Sequence, residues 1–400
     1  MAAVVAGVAA ADRGAAFLEL RSVFLIPALY YVLLRQARLD GKARWRVVDG
    51  WVLGGLGVAL VGLVQYALGR NLVVAEGGLA RLQSVYYSPN NVGLYLGRVW
   101  PLLVAVALWE GRGRRRTLYG LALIPVTLAL GLSFSRGALL LGLPAAVLVM
   151  GWRAGGRYRW AALALIVAGA LVLLPLLSLP RFAALFDLRE GSTFFRLALW
   201  RSSAGLVREH PWFGVGPGNF AAAYRTRYML PSAWSEPNLE HPHNIYLDHW
   251  TRLGLLGLVA GLLVQVAFWR VVFSRSQPPS SGAPRVSRSQ PPSPGASRVS
   301  RSQPPSPGAP RVSRSQPPSP GAPRVSRSQP PSPGAPRSLS VNLAHPCSEV
   351  LRLGLAGSMA ALLAHGLVDN TVFFPDLALV FFLTLALVQW ADTSGGGAQT

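Results

Sequence analysis

The chain is 400 residues long, 51% hydrophobic and only 14% charged, with a mean hydropathy of +0.36 and a net charge of +22. A soluble domain of that length carries more charge, so the composition excludes an ordinary soluble fold and points to a bilayer. The single cysteine, Cys347, excludes an internal disulfide and any cysteine-based metal cluster.

Met1 to Ala11 is apolar but has no basic segment before it, so no cleavable signal peptide is expected. The abrupt start leaves room for spans upstream. A helix needs about 20 apolar residues to cross the hydrocarbon, and runs near that length recur, predicting about nine spans. They fall at 15–34, 47–66, 90–109, 117–134, 137–151, 160–178, 251–273, 348–367 and 371–391. The pair within 117–151 is short and reads as tilted or partly re-entrant.

A polar insert, 179–250, separates two of these runs. Within it Ser192 or Thr193 is a plausible cap for a helix on which Arg196 and Trp200 share a face. The run from His210 to Phe220 holds three glycines, which permit a tight backbone path and close approach to a ligand. It follows no strand, so it is not a nucleotide-binding fingerprint. Taken singly, Trp200, Trp212, Phe213, Trp234 and Tyr246 read as aromatics lying at headgroup level.

Beyond Phe273 a 13-residue unit, Ser-Gln-Pro-Pro-Ser-Pro-Gly-Ala-Pro-Arg-Val-Ser-Arg, recurs with Gln277, Gln290, Gln303, Gln316 and Gln329 in phase. Proline removes backbone donors and the few valines bury no core, so 274–345 is expected to be a disordered, polyproline-like linker. An expanded repeat in a tolerant loop accounts for it, and attraction to anionic lipid is the functional alternative. The expected organisation is a transmembrane region over 1–273 that includes the insert, the linker at 274–345, and a C-terminal hairpin with a short tail over 346–400.

The charge is topology plus linker. Arg35, Arg38, Lys42, Arg44 and Arg46 crowd one short loop, Arg112, Arg114, Arg115 and Arg116 a second, and Arg153, Arg157 and Arg159 a third. With the spans above, all three fall on one side, which the positive-inside rule makes cytoplasmic. Ten more arginines lie between Arg275 and Arg337, where there is no acidic residue. No aromatic-rich basic fold accompanies them, so nucleic acid is not an expected partner.

The opposite, extracytoplasmic face then collects Arg81, Arg136, Arg196, Arg201, His243 and Asp369. Arginines there run against the positive-inside rule and need a reason. Arg136 is the clearest, at the tip of a hairpin between two apolar runs, where an arginine is usually paired or lines a wet cavity. Its planar fork suits a pair of phosphate oxygens. His243, in Glu240-His241-Pro242-His243-Asn244, sits at the mouth of the 251–273 run, and a histidine exchanges a proton near neutral pH. Together these groups point to chemistry on a charged lipid at the membrane surface. The bland readings are a helix-capping His243, a structural His241 and a headgroup-facing Arg201 off the Arg196 face. His365 and Asp369, four apart, either orient the site or simply pair with each other. Pro242 between His241 and His243 gives no regular ligand geometry, even with His249, Glu236 and Glu240 nearby, so no metal is expected. A Ser/His/Asp hydrolase fails for want of a nucleophile elbow.

Four pieces resemble the O-antigen ligase and O-antigen polymerase membrane glycosyltransferases. Arg81 with Pro89-Asn90-Asn91 looks like the family's arginine plus "PN" segment, and Ser135-Arg136-Gly137-Ala138 like its "SRG" hairpin. Arg196-x-x-x-Trp200 followed by Pro211-x-x-Gly214-x-Gly216 resembles the stretch before its signature histidine. His243-Asn244-x-x-Leu247 with Gly254-x-x-Gly257 is similar to its most recognisable motif. The short N-terminus and the inserted repeat depart from the pattern.

The resemblance implies an all-α, polytopic, GT-C-like helical bundle in the inner (cytoplasmic) membrane, with its active site on the extracytoplasmic face. It implies a donor glycan on a polyprenyl diphosphate and a lipid, glycan or protein hydroxyl as acceptor. His243 would be general base in an inverting, metal-independent transfer, while Arg136 and Arg196, joined by Arg81, hold the leaving diphosphate. Asn244, Asp369 and Trp200 would support them, and no cofactor is implied. The alternative is a lipid-linked-glycan flippase that binds phosphate without turnover. Transporters carry midplane polar sites and repeated spans, whereas here the polar groups cluster at one surface and no such repeat is visible.

Overall fold

The structure, a computed structural model, describes residues 1–37, 39–178, 182, 188–189, 191–274 and 346–393. Apart from Ser274, the expected repeat linker lies outside the described residues, as does part of the start of the insert. The described chain is mostly helical. A short helix, Ala2–Val8, precedes long ones at Arg13–Gln36, Gly41–Ala67, Pro89–Trp109, Arg114–Leu132, Gly137–Ala154, Arg157–Leu173, Gly191–Glu209, Ile245–Phe273, Pro346–His365 and Pro375–Thr393.

Among the described residues five of these helices are long and apolar enough to cross a membrane: 13–36, 41–67, 89–109, 137–154 and 245–273. Helices also stand at the other expected positions, but 114–132 opens on three arginines, 157–173 has 17 residues, and 346–365 carries Glu349, Arg352 and His365. The last helix holds a shorter apolar stretch, 375–390. Large apolar side chains such as Leu29, Leu53, Val64, Leu165 and Leu263 stand exposed along the flanks, as lipid-facing surfaces require. The 346–365 helix packs against the 89–109 and 137–154 helices and forms the centre of the bundle.

Two departures from the expected pattern matter for the site. The 67–89 segment is not merely a loop: it carries an antiparallel hairpin, β1 (Leu72–Val74) and β2 (Ala80–Leu82), with Val73 opposite Arg81. Leu82 is fully buried over Gly62, which pins β2 to the 41–67 helix and fixes where Arg81 emerges. The second departure is a break inside the 245–273 helix at Gly254, whose φ of 68° and ψ of −169° suit glycine alone. The freed carbonyls of Thr251 and Arg252 accept from Val215 N at 2.8 Å and Gly216 N at 3.1 Å, and Leu255 N donates to Pro211 O at 2.8 Å. The glycine-rich run therefore makes a close approach to a helix backbone. Buried amides must be paired, and here the insert pairs them.

Candidate active site

Each of the expected polar residues is delivered by a distinct local device. Asn244 caps the 245–273 helix, its Oδ1 accepting from Tyr246 N at 3.0 Å and Leu247 N at 3.1 Å, which sets His243 one residue ahead of the helix. His243 itself has φ 51°, the left-handed region, a cost of about 1 kcal/mol for a side-chain-bearing residue. The surroundings hold it there: Ile245 N donates to Gly366 O at 2.6 Å, Asn244 Nδ2 to Leu367 O at 3.1 Å, and Trp200 Nε1 to Pro242 O at 2.9 Å. Trp200 is thus a strap for the histidine segment, unlike Trp212 and Trp234, which stand exposed.

Asp369 lies in the turn between the last two helices and is only 4% exposed. His243 Nδ1 is 3.0 Å from its Oδ1, His241 Nε2 3.6 Å from the same oxygen, and His365 Nε2 3.9 Å from Oδ2. Asn370 N also donates to Oδ1, at 2.9 Å. Burial works against the Asp369 charge, but the hydrogen bond from His243 and the imidazoles around it prevail, holding its carboxyl well below the usual carboxylate range. An ionised carboxylate only accepts, so in this bond His243 Nδ1 is the donor. Burial, with His243 beside it, lowers the His241 imidazole to about 4, leaving it neutral.

His241, His243 and Asp369 present ligand atoms within 4.8 Å of one another, a cluster able to hold a metal ion. Pro242 therefore does not keep the two histidines apart, which removes the ground on which the sequence argued against a metal. His249 stays outside the cluster, with Nδ1 on its own Ile245 O and its ring against Phe373.

Beside this cluster is a cavity of about 110 Å³ lined by Arg81, Asn90, Arg136, Gly137, Ser192, Arg196, His365, Val368 and Asp369. Three arginines far apart in sequence thus converge on one space with the carboxylate that holds His243. Arg81 is positioned by Nε to Ser133 O and by a terminal nitrogen to Asn90 Oδ1, both at 2.9 Å. Arg136 follows a tight turn through Phe134 at φ 45°, precedes a π-helical stretch at Gly137–Gly142, and bonds Ser192 Oγ. Gly137 has to be glycine, because a Cβ there would lie 2.3 Å from the His365 ring. Arg196 comes from the insert helix 191–209, and its buried Nε has no hydrogen-bond partner among the described residues. Arg201 is exposed and does not line this cavity.

Residues 102–262 match the O-antigen ligase family model. Over those residues the chain is similar to O-antigen ligases, and together with five helices long and apolar enough to cross a membrane this supports a membrane protein of polysaccharide biosynthesis. None of the curated proteins matches it. The O-antigen ligase match contains Arg136, Arg196, Trp200, His243 and Asn244, while Arg81 and Asp369 lie outside it and are brought in by folding.

The sequence reading missed two buried charge networks next to this O-antigen ligase-type site. Arg252 bonds Asp248 Oδ1 and both Glu19 carboxylate oxygens. Arg98, 1% exposed, donates to Leu377 O at 2.8 Å and to Thr371 O, two residues past Asp369. The available signal was charge inside otherwise apolar runs, which is expensive in a membrane and marks function or a partner.

Proposed function

We propose that the protein transfers or polymerises a polyprenyl-diphosphate-linked glycan onto an acceptor hydroxyl at the extracytoplasmic face of the inner membrane, in a bundle of nine spans. The observation that carries this reading is the cavity where Arg81, Arg136 and Arg196 meet Asp369, the residue that orients His243. Three guanidiniums against one carboxylate make a site for an anion, and its size suits a phosphate group. Each charge-assisted hydrogen bond there contributes about 1.5–3 kcal/mol.

In the reaction the acceptor O–H attacks the anomeric carbon as the bond from that carbon to the diphosphate oxygen breaks, inverting the configuration. His243 Nε2 takes the hydroxyl proton, a role that typically contributes about 10²–10⁴-fold. Asp369 holds the resulting imidazolium, and the arginines hold the departing polyprenyl diphosphate as its negative charge grows. Arginine supplies at the leaving diphosphate the positive charge a metal would otherwise provide.

The test uses membranes carrying wild type, His243→Ala or Arg136→Lys, given a polyprenyl-diphosphate glycan and acceptor membranes, with donor loss and product mass followed. Wild type should consume donor, His243→Ala should not, and Arg136→Lys should lose about tenfold or more in kcat/KM because a point charge cannot replace the fork. Equal turnover by wild type and His243→Ala would refute the mechanism.

A further inference from the structure

The histidine strap and the aspartate turn are 126 residues apart in the chain, and their alignment is what lets Asp369 hold His243. Direct bonds join them at the surface, through Ile245 N to Gly366 O and Asn244 Nδ2 to Leu367 O. A second fastening lies beneath. Arg252 sits two turns into the 245–273 helix and is 7% exposed. Its Nε donates to Asp248 Oδ1 at 2.6 Å, one terminal nitrogen reaches Glu19 Oε1 and Oε2 at 2.6 and 2.7 Å, and the other donates to Glu240 O at 3.2 Å. The guanidinium also lies over the Phe373 ring, 5.2 Å from its centroid.

We infer that Arg252 is a positioning residue that fixes the His243–Asp369 pair, by gripping the chain just before His241 and the ring just after the Asp369 turn. The inference rests on the proposed role of His243. The geometry of the fork is the reason. One planar group spends donors in three directions, onto the 13–36 helix, its own helix and the histidine strap, and turns a face to the fourth segment. Glu19 and Asp248 neutralise a charge that would otherwise be too costly at that depth. Lysine presents one nitrogen and no face, and cannot hold the four segments together. Arg252 touches neither cavity nor substrate, so its loss should act on turnover rather than donor capture.

The experiment measures kcat and donor KM separately for wild type, Arg252→Lys, Glu19→Ala and Glu19→Gln in membranes, with protein amount and thermal midpoint recorded for each. Arg252→Lys and Glu19→Ala should lose about tenfold or more in kcat with donor KM within about threefold of wild type. Glu19→Gln, whose amide oxygen still accepts from the guanidinium, should recover most of that kcat. Should Arg252→Lys fail to accumulate, the Glu19 pair decides alone. Wild-type kcat in Glu19→Ala, a change confined to KM, or equal impairment of Glu19→Gln and Glu19→Ala would overturn the inference. Activity in His243→Ala would instead remove the proposed mechanism, a result distinguishable from all of these.

Discussion

His241 should make the protein lose stability on mild acidification by a calculable amount. Its imidazole is buried beside His243, with burial the main cause of a folded-state value of about 4, against 6.5 for a free histidine. A histidine lowered on folding binds fewer protons in the folded state than in the unfolded chain. Its contribution is therefore complete above pH 6.5 and is lost as pH falls toward 4. From these two values the penalty is negligible at pH 7, about 2 kcal/mol at pH 5, and levels at about 3 kcal/mol below both. Across pH 7 to 5 the wild type should thus lose about 2 kcal/mol through this residue, or about 2 °C in thermal midpoint for a chain of this size. The assay compares wild type with His241→Asn in detergent, at both pH values and constant salt. The variant cancels the contribution of titrating groups outside the cluster, because those are common to both proteins. If the two proteins lose the same number of degrees, His241 is not held neutral and the account of the cluster is wrong. The consequence for chemistry is direct: a neutral His241 leaves the Asp369 charge to His243.

Three further outcomes follow from the same geometry. Asp369→Asn should lower kcat by about 10²–10⁴-fold, because an amide can donate to Nδ1 and select the wrong tautomer. Donor KM measured alongside should not rise, since the cavity loses only a negative charge. Gly254→Ala should cost more than about 3 kcal/mol and prevent recovery of monodisperse protein in detergent, because its Cβ would lie 2.0 Å from Trp212 O at a backbone angle only glycine tolerates. Deleting residues 290–328, three periods of the 13-residue repeat, should leave specific activity in membranes at the wild-type level, since every residue proposed for the reaction lies outside the repeat in sequence.

The membrane character, the helical content and the identity of the polar residues worth watching were legible in the sequence. Hydropathy over about 20 residues is a local property, and arginines such as Arg136 betray themselves by standing where the bilayer disfavours them. The motif pieces around Arg81, Arg136, Arg196 and His243 were likewise readable, since each is a short contiguous pattern. What the sequence left open was how these pieces meet. Asp369 had two readings of equal weight until folding set it 3.0 Å from His243, 126 residues away. The glycines of 214–218 were read as an approach to a ligand, and only the break at Gly254 reveals the helix carbonyls they serve. Glu19, Asp248 and Arg252 drew no reading from the sequence, and only packing joins them into one network. Local patterns are set by the chain's own periodicity, whereas buried hydrogen bonds and ion pairs depend on which distant groups the fold encloses together, a choice made by the whole bundle at once.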